Sequence, residues 1–381
     1  MVGIIEEQHP DRARLFMQWK QMKWPILVDS LNLLGVESVP ITLAVDEYGI
    51  VRKVGIPLRE ARAFAQEFVA QTYDPPPPPR APQSPARPSF EQLRERTAAN
   101  TAEAWRDLAD GLAVWELPNR LDESIGAYEK AIELSPQDAR TRFGLGVAYR
   151  KRFDSDARQD SDFQRAVEHW KQALDLNPNQ YIWRRRIQQY GPRLDKPYSF
   201  YDWVTAARRE IIARGETPAA LVVEPSGAEF AHPAKTFEAR LATIEEPDPR
   251  GQILRDNAEL IEIEVTTVPP VIKSGASARL HVAFRPNLRN KAHWNNEAKG
   301  LVLWLNPPPG WLVESRAISL ENPPRATSRE IRRLEFEIKS PAGAKAEPVD
   351  IPGYALYYVC EDVNGACLYR RQDVSLRVSV K

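Results

Sequence analysis

A sequence motif that occurs twice near the middle of the chain constrains the fold more than any other feature. Residues 127–136 read AYEKAIELSP, and residues 168–178 read EHWKQALDLNP. Both copies have a small, an aromatic, an alanine and a proline residue at offsets 0, 4, 7 and 12: Ser124, Tyr128, Ala131 and Pro136, then Ala166, Trp170, Ala173 and Pro178. Spacings of three and four residues place side chains on one helix face, and proline ends a helix. The motif therefore predicts two similar helices with small residues at close contacts.

Another helical pattern precedes each copy: Trp105, Leu108 and Leu112, then Leu145, Gly146 and Tyr149. The resulting helix pairs resemble the tetratricopeptide repeat, with loops that lengthen the usual period of about 34 residues. We expect an all-α array over residues 89–215, with residues 181–190 as a capping helix. The resemblance implies a concave surface for a protein or peptide partner. Aromatic residues are expected to take part in binding it: Trp105, Tyr149, Trp170, Trp183 and Tyr190.

A second interpretation concerns the aromatic residues at the end of this array. Trp183, Tyr190, Tyr198, Phe200 and Trp203 could instead seal the array against the next domain, with arginines stacked on their rings. The run 184–186 is entirely arginine and could form a nucleic-acid patch. The chain has 52 basic and 52 acidic residues, and a net charge of zero argues against that interpretation.

Proline defines the first domain boundary. Eight of the fifteen residues in 74–88 are proline, a composition typical of a semi-rigid polyproline II spacer. We therefore expect a linker over residues 75–88, between a first domain at 1–74 and the repeats.

Short apolar segments alternate with helical patterns in residues 1–74, which predicts an α/β layer. The segments 2–5, 25–29, 39–45 and 46–51 resemble thioredoxin-like redoxins of the peroxiredoxin and cytochrome-maturation type. The resemblance implies a cis peptide bond at Pro40. It also implies a catalytic cysteine and a central strand, yet no cysteine precedes Cys360. Either the sequence is truncated at its N-terminus, or the domain is a degenerate remnant that retains a structural role.

Residues 216–381 change to a period of two, with turns such as 307–310 and 364–365 between short apolar runs. This pattern predicts an antiparallel β-sandwich. Its last 110 residues or so resemble the immunoglobulin-like N-terminal periplasmic domain of thiol:disulfide interchange proteins. The resemblance rests on residues 278–286, 293–296, 309–311 and 357–367. It implies that Cys360 and Cys367 are a redox pair.

The spacing of these cysteines also allows a structural disulfide. Asn364-Gly365 favours a two-residue turn, which would pair Asp362 with Cys367 and leave the cysteines diagonal to each other. A bulge or a wider loop would place them directly opposite. The bond could then staple the hairpin or exchange electrons with a partner.

The sequence thus predicts a multidomain α+β protein: a partial thioredoxin-like layer, a tetratricopeptide array and an immunoglobulin-like sandwich. We expect no cofactor, no metal site, no nucleic-acid binding and no membrane insertion. The primary functional hypothesis is a bacterial envelope thiol–disulfide protein with a partner-binding module. The alternative is a non-catalytic interaction adaptor. A truncated N-terminus would suit the periplasm or cell envelope, whereas a true start at Met1 would suit the cytoplasm.

Overall fold

The computed structural model describes residues 1–75, 89–115, 120–193, 203–225, 244–361 and 365–381. The predicted linker therefore lies almost entirely outside the described residues, as do Tyr198 and Phe200. The described part is a mixture of helices and sheets, which confirms the multidomain α+β class. It contains no helix that is both long and apolar enough to cross a membrane.

The middle of the chain folds into consecutive antiparallel helices. The aligned motif copies lie on α5 and α7, and the patterns ahead of them lie on α4 and α6, as the repeat predicts. Residues 181–190 form the expected further helix. The helices are α3 (Phe90–Arg96), α4 (Ala102–Trp115), α5 (Leu121–Leu134), α6 (Ala139–Phe153), α7 (Asp162–Leu176) and α8 (Tyr181–Tyr190).

Two glycines allow the helices of the array to approach closely. A Cβ at Gly144 would lie 2.8 Å from the ring of Tyr128, and one at Gly146 would lie 2.5 Å from the ring of Trp170. Both rings are fully buried. The aromatic and small residues of the motif are therefore complementary: each ring occupies the space that a missing side chain leaves on α6.

The N-terminal segment forms two separate two-stranded sheets. Strand β1 pairs in parallel with β2, and β3 pairs antiparallel with β4. Many apolar side chains of these strands are exposed, Leu27, Leu43 and Val54 among them. The elements are β1 (Gly3–Ile5), α1 (Asp11–Lys20), β2 (Ile26–Val28), β3 (Leu43–Val45), β4 (Val51–Val54) and α2 (Ala61–Ala70).

Helix α9 (Trp203–Ala213) packs on the N-terminal helix α1. Leu15 of α1 shares a small core with Val204 and Ile211 of α9. The ring of Trp203 stacks on that of Trp19, with their centres 5.9 Å apart. A role of Trp203 in sealing the repeat end stays a prediction. Apolar periodicity gives a helix a buried face but does not say which surface covers it.

Two sheets packed face to face form the C-terminal part. One has the order β10-β13-β7-β5, and the other has the order β11-β9-β14-β15-β6, with β8 beside β14 and β12 beside β8. Their inward residues share one core that includes Leu280, Phe336, Leu303 and Leu376. The strands are β5 (Ile261–Val268), β6 (Val271–Ile272), β7 (Ser277–Pro286), β8 (His293–Asn295), β9 (Leu301–Leu305), β10 (Leu312–Val313), β11 (Ala317–Leu320), β12 (Thr327–Ser328), β13 (Arg332–Lys339), β14 (Pro348–Cys360) and β15 (Cys367–Val380).

The hairpin between β14 and β15 corrects the register expected from Asn364-Gly365. Cys360 lies directly opposite Cys367 in the ladder, and Tyr358, not Cys360, pairs with Tyr369. The two cysteines form a disulfide bond. The wider loop was the alternative that the sequence left open. In this register the two Cα atoms lie 4.1 Å apart.

Candidate partner-binding site on the helical repeats

Helices α4 and α6 are the first helices of two successive hairpins, and α8 follows them as the capping helix. We call the side of the array that α4, α6 and α8 form the repeat face. Helix α6 is buried along all of residues 143–150. Its two neighbours in the array, α5 and α7, cover only part of that circumference. The remaining part is covered by the N-terminal segment, which crosses α6 and α8.

Arg186 of α8 is the main residue that holds this segment. Its Nη1 donates a hydrogen bond to the side-chain carbonyl of Gln8 at 2.5 Å, and its Nη2 donates to the backbone carbonyls of Glu6 at 3.2 Å and Ser30 at 3.3 Å. The guanidinium also lies over the ring of Phe143, 5.3 Å from its centre. Only 2% of Arg186 is exposed. One buried side chain therefore binds two separate turns of the N-terminal segment.

Further backbone contacts continue along the same face. The side-chain amide of Gln8 donates to the carbonyl of Val147 on α6 at 3.4 Å. The backbone N–H of Tyr181 donates to the carbonyl of Glu37 at 3.2 Å. Leu31 belongs to the same apolar core as the repeat helices. Residues 6–9 and 29–37 are thus held through main-chain groups, the Gln8 side chain, and the apolar side chains of Leu31 and Val36.

A buried polar cluster closes the end of this contact. His9 Nε2 lies 2.8 Å from the Tyr190 hydroxyl, and His9 Nδ1 lies 3.8 Å from Asp154. Arg150 Nε donates to Asp154 at 2.9 Å. Burial and the Arg150 charge hold the pKa of His9 well below its usual value. His9 is therefore neutral at pH 7 and acts as a hydrogen-bonding group.

Two other charged groups at this contact have altered pKa values. Burial and the nearby Asp29 raise the pKa of Glu6 to about 7, and Arg186 partly opposes the effect. Burial and Arg186 lower the pKa of Lys151 to about 8. Both shifts disfavour charge, so the contact between the segment and the repeats depends on pH.

The repeat face is more open at α4. Leu108 of α4 corresponds to Leu145 of α6 in the motif, so Val114 of α4 corresponds to Lys151 of α6. The Lys151 side chain donates a hydrogen bond to the Ala113 carbonyl at 3.1 Å. Val114 is 41% exposed, and Trp115 beside it is 54% exposed. The first repeat therefore presents accessible apolar side chains at α4, whereas the N-terminal segment covers the repeat face at α6 and α8.

The structure places the predicted partner-binding residues unequally. Tyr149, Trp170, Trp183 and Tyr190 are buried, and Trp105 is half-buried. Tyr190 contacts His281 of the sandwich and lies under the Arg150 guanidinium, 4.6 Å from ring centre to carbon. The sealing interpretation thus describes Tyr190 well. A role of the five residues in partner binding stays a prediction, and Trp105 has the greatest access among them.

The other predicted residues lie apart from the repeat face. The Val39–Pro40 bond is cis, and Pro40 is exposed in the loop before β3. Cys360 and Cys367 lie in the sandwich hairpin. No hydrogen bond or ion pair between described residues connects the Pro40 loop with this hairpin. The described part of the chain also contains no cluster of histidine, cysteine or carboxylate groups suited to a metal ion.

Sequence reasoning missed Arg186 and Gln8 as contact residues. The available signal was the arginine run at 184–186 on a helix whose other residues are aromatic, isoleucine or glutamine. An arginine on the buried stripe of a helix needs a polar partner, but the sequence does not show that the partner is more than 150 residues away.

Comparison with known proteins supports the repeats and little else. A family model described as TPR repeat matches residues 119–151, which span α5 and most of α6. The sequence has no significant match among curated proteins.

Solved structures give weak matches. Spo0M, a sporulation control protein from Bacillus subtilis, matches with a TM-score of 0.17 and 8% identity, over 32% of this chain and 49% of that one. This chain thus spans about half the length of Spo0M. AvmM, which catalyses macrocyclization in alchivemycin A biosynthesis, matches at 0.17 with 14% identity, over 32% of this chain and 89% of that one.

A third match covers more of the chain. Pseudomonas fluorescens AlkC, an alkylpurine DNA glycosylase bound to DNA with an abasic site analog, matches at a TM-score of 0.15 with 12% identity, over 77% of this chain and 82% of that one. TM-scores this low carry no argument about fold or function.

The match to the family model shows that the chain contains a tetratricopeptide repeat, a type of module that suggests protein partners.

Proposed function

We propose that this protein is a non-catalytic adaptor that binds a partner protein through its repeat face. One observation carries the proposal: α8, which follows the helices that match the repeat family, binds the backbone carbonyls of Glu6, Ser30 and Glu37. A surface that binds two irregular segments of its own chain has the hydrogen-bonding groups needed for an extended peptide. The expectation of an adaptor fits the repeat match better than the expectation of an enzyme.

The partner segment that suits the open end of this face is extended and apolar. Val114 and Trp115 offer apolar surface there, and large aromatic side chains contribute strongly to interfaces. We expect contact with α4, since α6 and α8 are already covered.

Site-specific photo-crosslinking in the native cell tests this function. A photoreactive residue at Val114 should give one discrete adduct whose partner mass spectrometry identifies. The matched control is Glu133, an exposed residue on α5, outside the repeat face. Adducts of the same identity from both positions, or none from Val114, would contradict the proposal.

A thiol–disulfide function is the second candidate, and the direct pairing of Cys360 with Cys367 favours it. Cys367 is exposed whereas Cys360 is buried. A partner thiolate would attack Cys367 Sγ, which forms a mixed disulfide and releases the Cys360 thiolate. The thioredoxin-like character of residues 1–74 and the immunoglobulin-like character of the sandwich belong to this proposal. So does an oxidising compartment such as the bacterial periplasm, where disulfides persist.

Trapping tests the second candidate. The Cys360→Ser variant keeps the exposed Cys367 and should accumulate a mixed disulfide with its partner. The Cys367→Ser variant keeps only the buried cysteine and serves as the control. If neither variant forms an adduct in the native compartment, the thiol–disulfide function is wrong.

A further inference from the structure

A cavity of about 450 Å³ lies where the repeats meet the sandwich. Its walls come from α6, α7 and α8, from strands β5, β7 and β13, and from residues 222–224. Pockets of a few hundred Å³ with a mostly apolar lining and a few polar groups are typical of small-molecule sites. Phe153, Phe163, Val223 and Ile331 contribute apolar wall here.

Arg150 lines this cavity and is fixed in position by three aromatic rings. Its guanidinium carbon lies 4.1 Å from the ring centre of Phe163, 4.6 Å from that of Tyr190 and 4.9 Å from that of Phe153. The side chain is 3% exposed and pairs with Asp154 through Nε and Nη2. Its Nη1 is buried without a hydrogen-bond partner. A buried charged donor in this state is costly unless it is satisfied.

Two more arginines line the cavity. Arg279 pairs with Glu335 at 3.0 Å, and its Nε is also buried without a hydrogen-bond partner. Arg333 is exposed, and no carboxylate in the described part of the chain lies within ion-pair distance of it. The carboxylates that act on the charge of Arg333 are Asp154 and Glu335, which already pair with Arg150 and Arg279. Arg333 therefore has no ion-pair partner of its own in the described part of this wall.

Each carboxylate of the cavity wall lies within ion-pair distance of an arginine. Glu335 lies 3.0 Å from Arg279. Glu264 lies 3.4 Å from Arg285, although neither of its carboxylate oxygens has a hydrogen-bond partner, and Glu224 lies 2.6 Å from Arg208. These pairs leave Arg333 and one nitrogen each of Arg150 and Arg279 as the unsatisfied charged donors.

We propose that this cavity binds a small organic anion with an apolar body and a carboxylate or phosphate head group. The head group would lie between Arg150 and Arg333, because guanidinium groups bind both kinds of oxyanion well. The apolar body would pack against Phe153, Phe163 and Val223. The proposal does not rest on the proposed function, although Arg150 and Tyr190 also belong to the polar cluster that closes the contact with the N-terminal segment.

Calorimetric titration of the full chain tests the site. Octanoate and octyl phosphate probe the two head groups, and octanamide is the neutral control. We expect saturable binding of at least one anion with a Kd below about 1 mM, and octanamide should not bind. A preference for one anion would identify the head group.

Variants test the position of the site. Arg333→Gln should weaken anion binding about 10- to 100-fold, the magnitude of one hydrogen bond to a charged group, and Arg333→Lys should retain part of the affinity. Arg289→Gln, in the exposed turn after β7, should leave it unchanged. Equal binding of octanamide, no binding of either anion, or full affinity in Arg333→Gln would overturn the proposal.

Discussion

Arg186 of the last repeat helix donates a hydrogen bond to the backbone carbonyl of Glu6 at 3.2 Å, across 180 residues of sequence. The contact makes the N-terminal segment part of the helical array. The guanidinium bonds two main-chain carbonyls as well as the Gln8 side chain, so it recognises mainly the path of the backbone. This contact fixes the course of the segment over α8.

Replacing Arg186 should release the N-terminal segment. Arg186→Met keeps the apolar stem but leaves the carbonyls of Glu6 and Ser30 without this donor, at a cost of about 1–3 kcal/mol in the free energy of unfolding. Hydrogen exchange should increase in residues 4–9 and 29–37. Arg184→Met is the control, because Arg184 is exposed and bonds only the Pro178 carbonyl. Unchanged exchange in Arg186→Met would show that other contacts hold the segment.

Two glycine substitutions should have opposite effects. Gly146→Ala would place a Cβ 2.5 Å from the Trp170 ring and 2.9 Å from the Ala166 carbonyl oxygen, and overpacking of this kind costs about 1–3 kcal/mol. Gly126→Ala meets open space on α5 and should stabilise the protein by about 0.5–1 kcal/mol. Denaturant unfolding of both variants measures the difference. Equal effects would contradict the close packing of α6 on α7.

Glu6 should make stability depend on pH. Its pKa rises from 4.5 to about 7 on folding, so the folded state binds the proton more tightly than the unfolded state. The contribution of Glu6 to stability is therefore fully present below about pH 4.5 and is lost as the pH rises through about 7. The difference in stability between the protein and Glu6→Gln should change over this window. A constant difference would mean that Glu6 is solvated.

The effect of His9 on the pH dependence of stability is opposite to that of Glu6. Its pKa falls on folding, so protonation of the unfolded state below about pH 6.5 removes stability. The Glu6→Gln comparison should be repeated in a His9→Gln background, where the contribution of His9 is absent.

The disulfide should behave as a staple of the hairpin. Cys360 is 1% exposed, so one of the two sulfurs is shielded from attack by a thiolate, although Cys367 is exposed. We expect a reduction potential below about −300 mV. The Cys367→Ser variant should lose about 2 kcal/mol of stability, the magnitude for a short closed loop. Redox titration followed by thiol labelling measures the potential, and a value near that of thioredoxin, about −270 mV or higher, would instead support electron exchange.

The sequence alone predicted the helices and strands that depend on local patterns. The spacing of Tyr128, Ala131 and Pro136, repeated at Trp170, Ala173 and Pro178, determined the paired helices, because side chains three and four residues apart share a helix face. The runs of alternating apolar residues after residue 260 predicted the sandwich strands, because side chains two residues apart lie on the same face of a strand.

Only the tertiary structure decided which surfaces meet. The attachment of α9 to α1, the contact of Arg186 with residues 6 and 30, and the direct opposition of Cys360 and Cys367 in the ladder all join positions that no periodicity relates. A local pattern sets which face of an element is apolar. The partner of that face, and of any charge buried on it, follows from long-range packing that brings distant segments together.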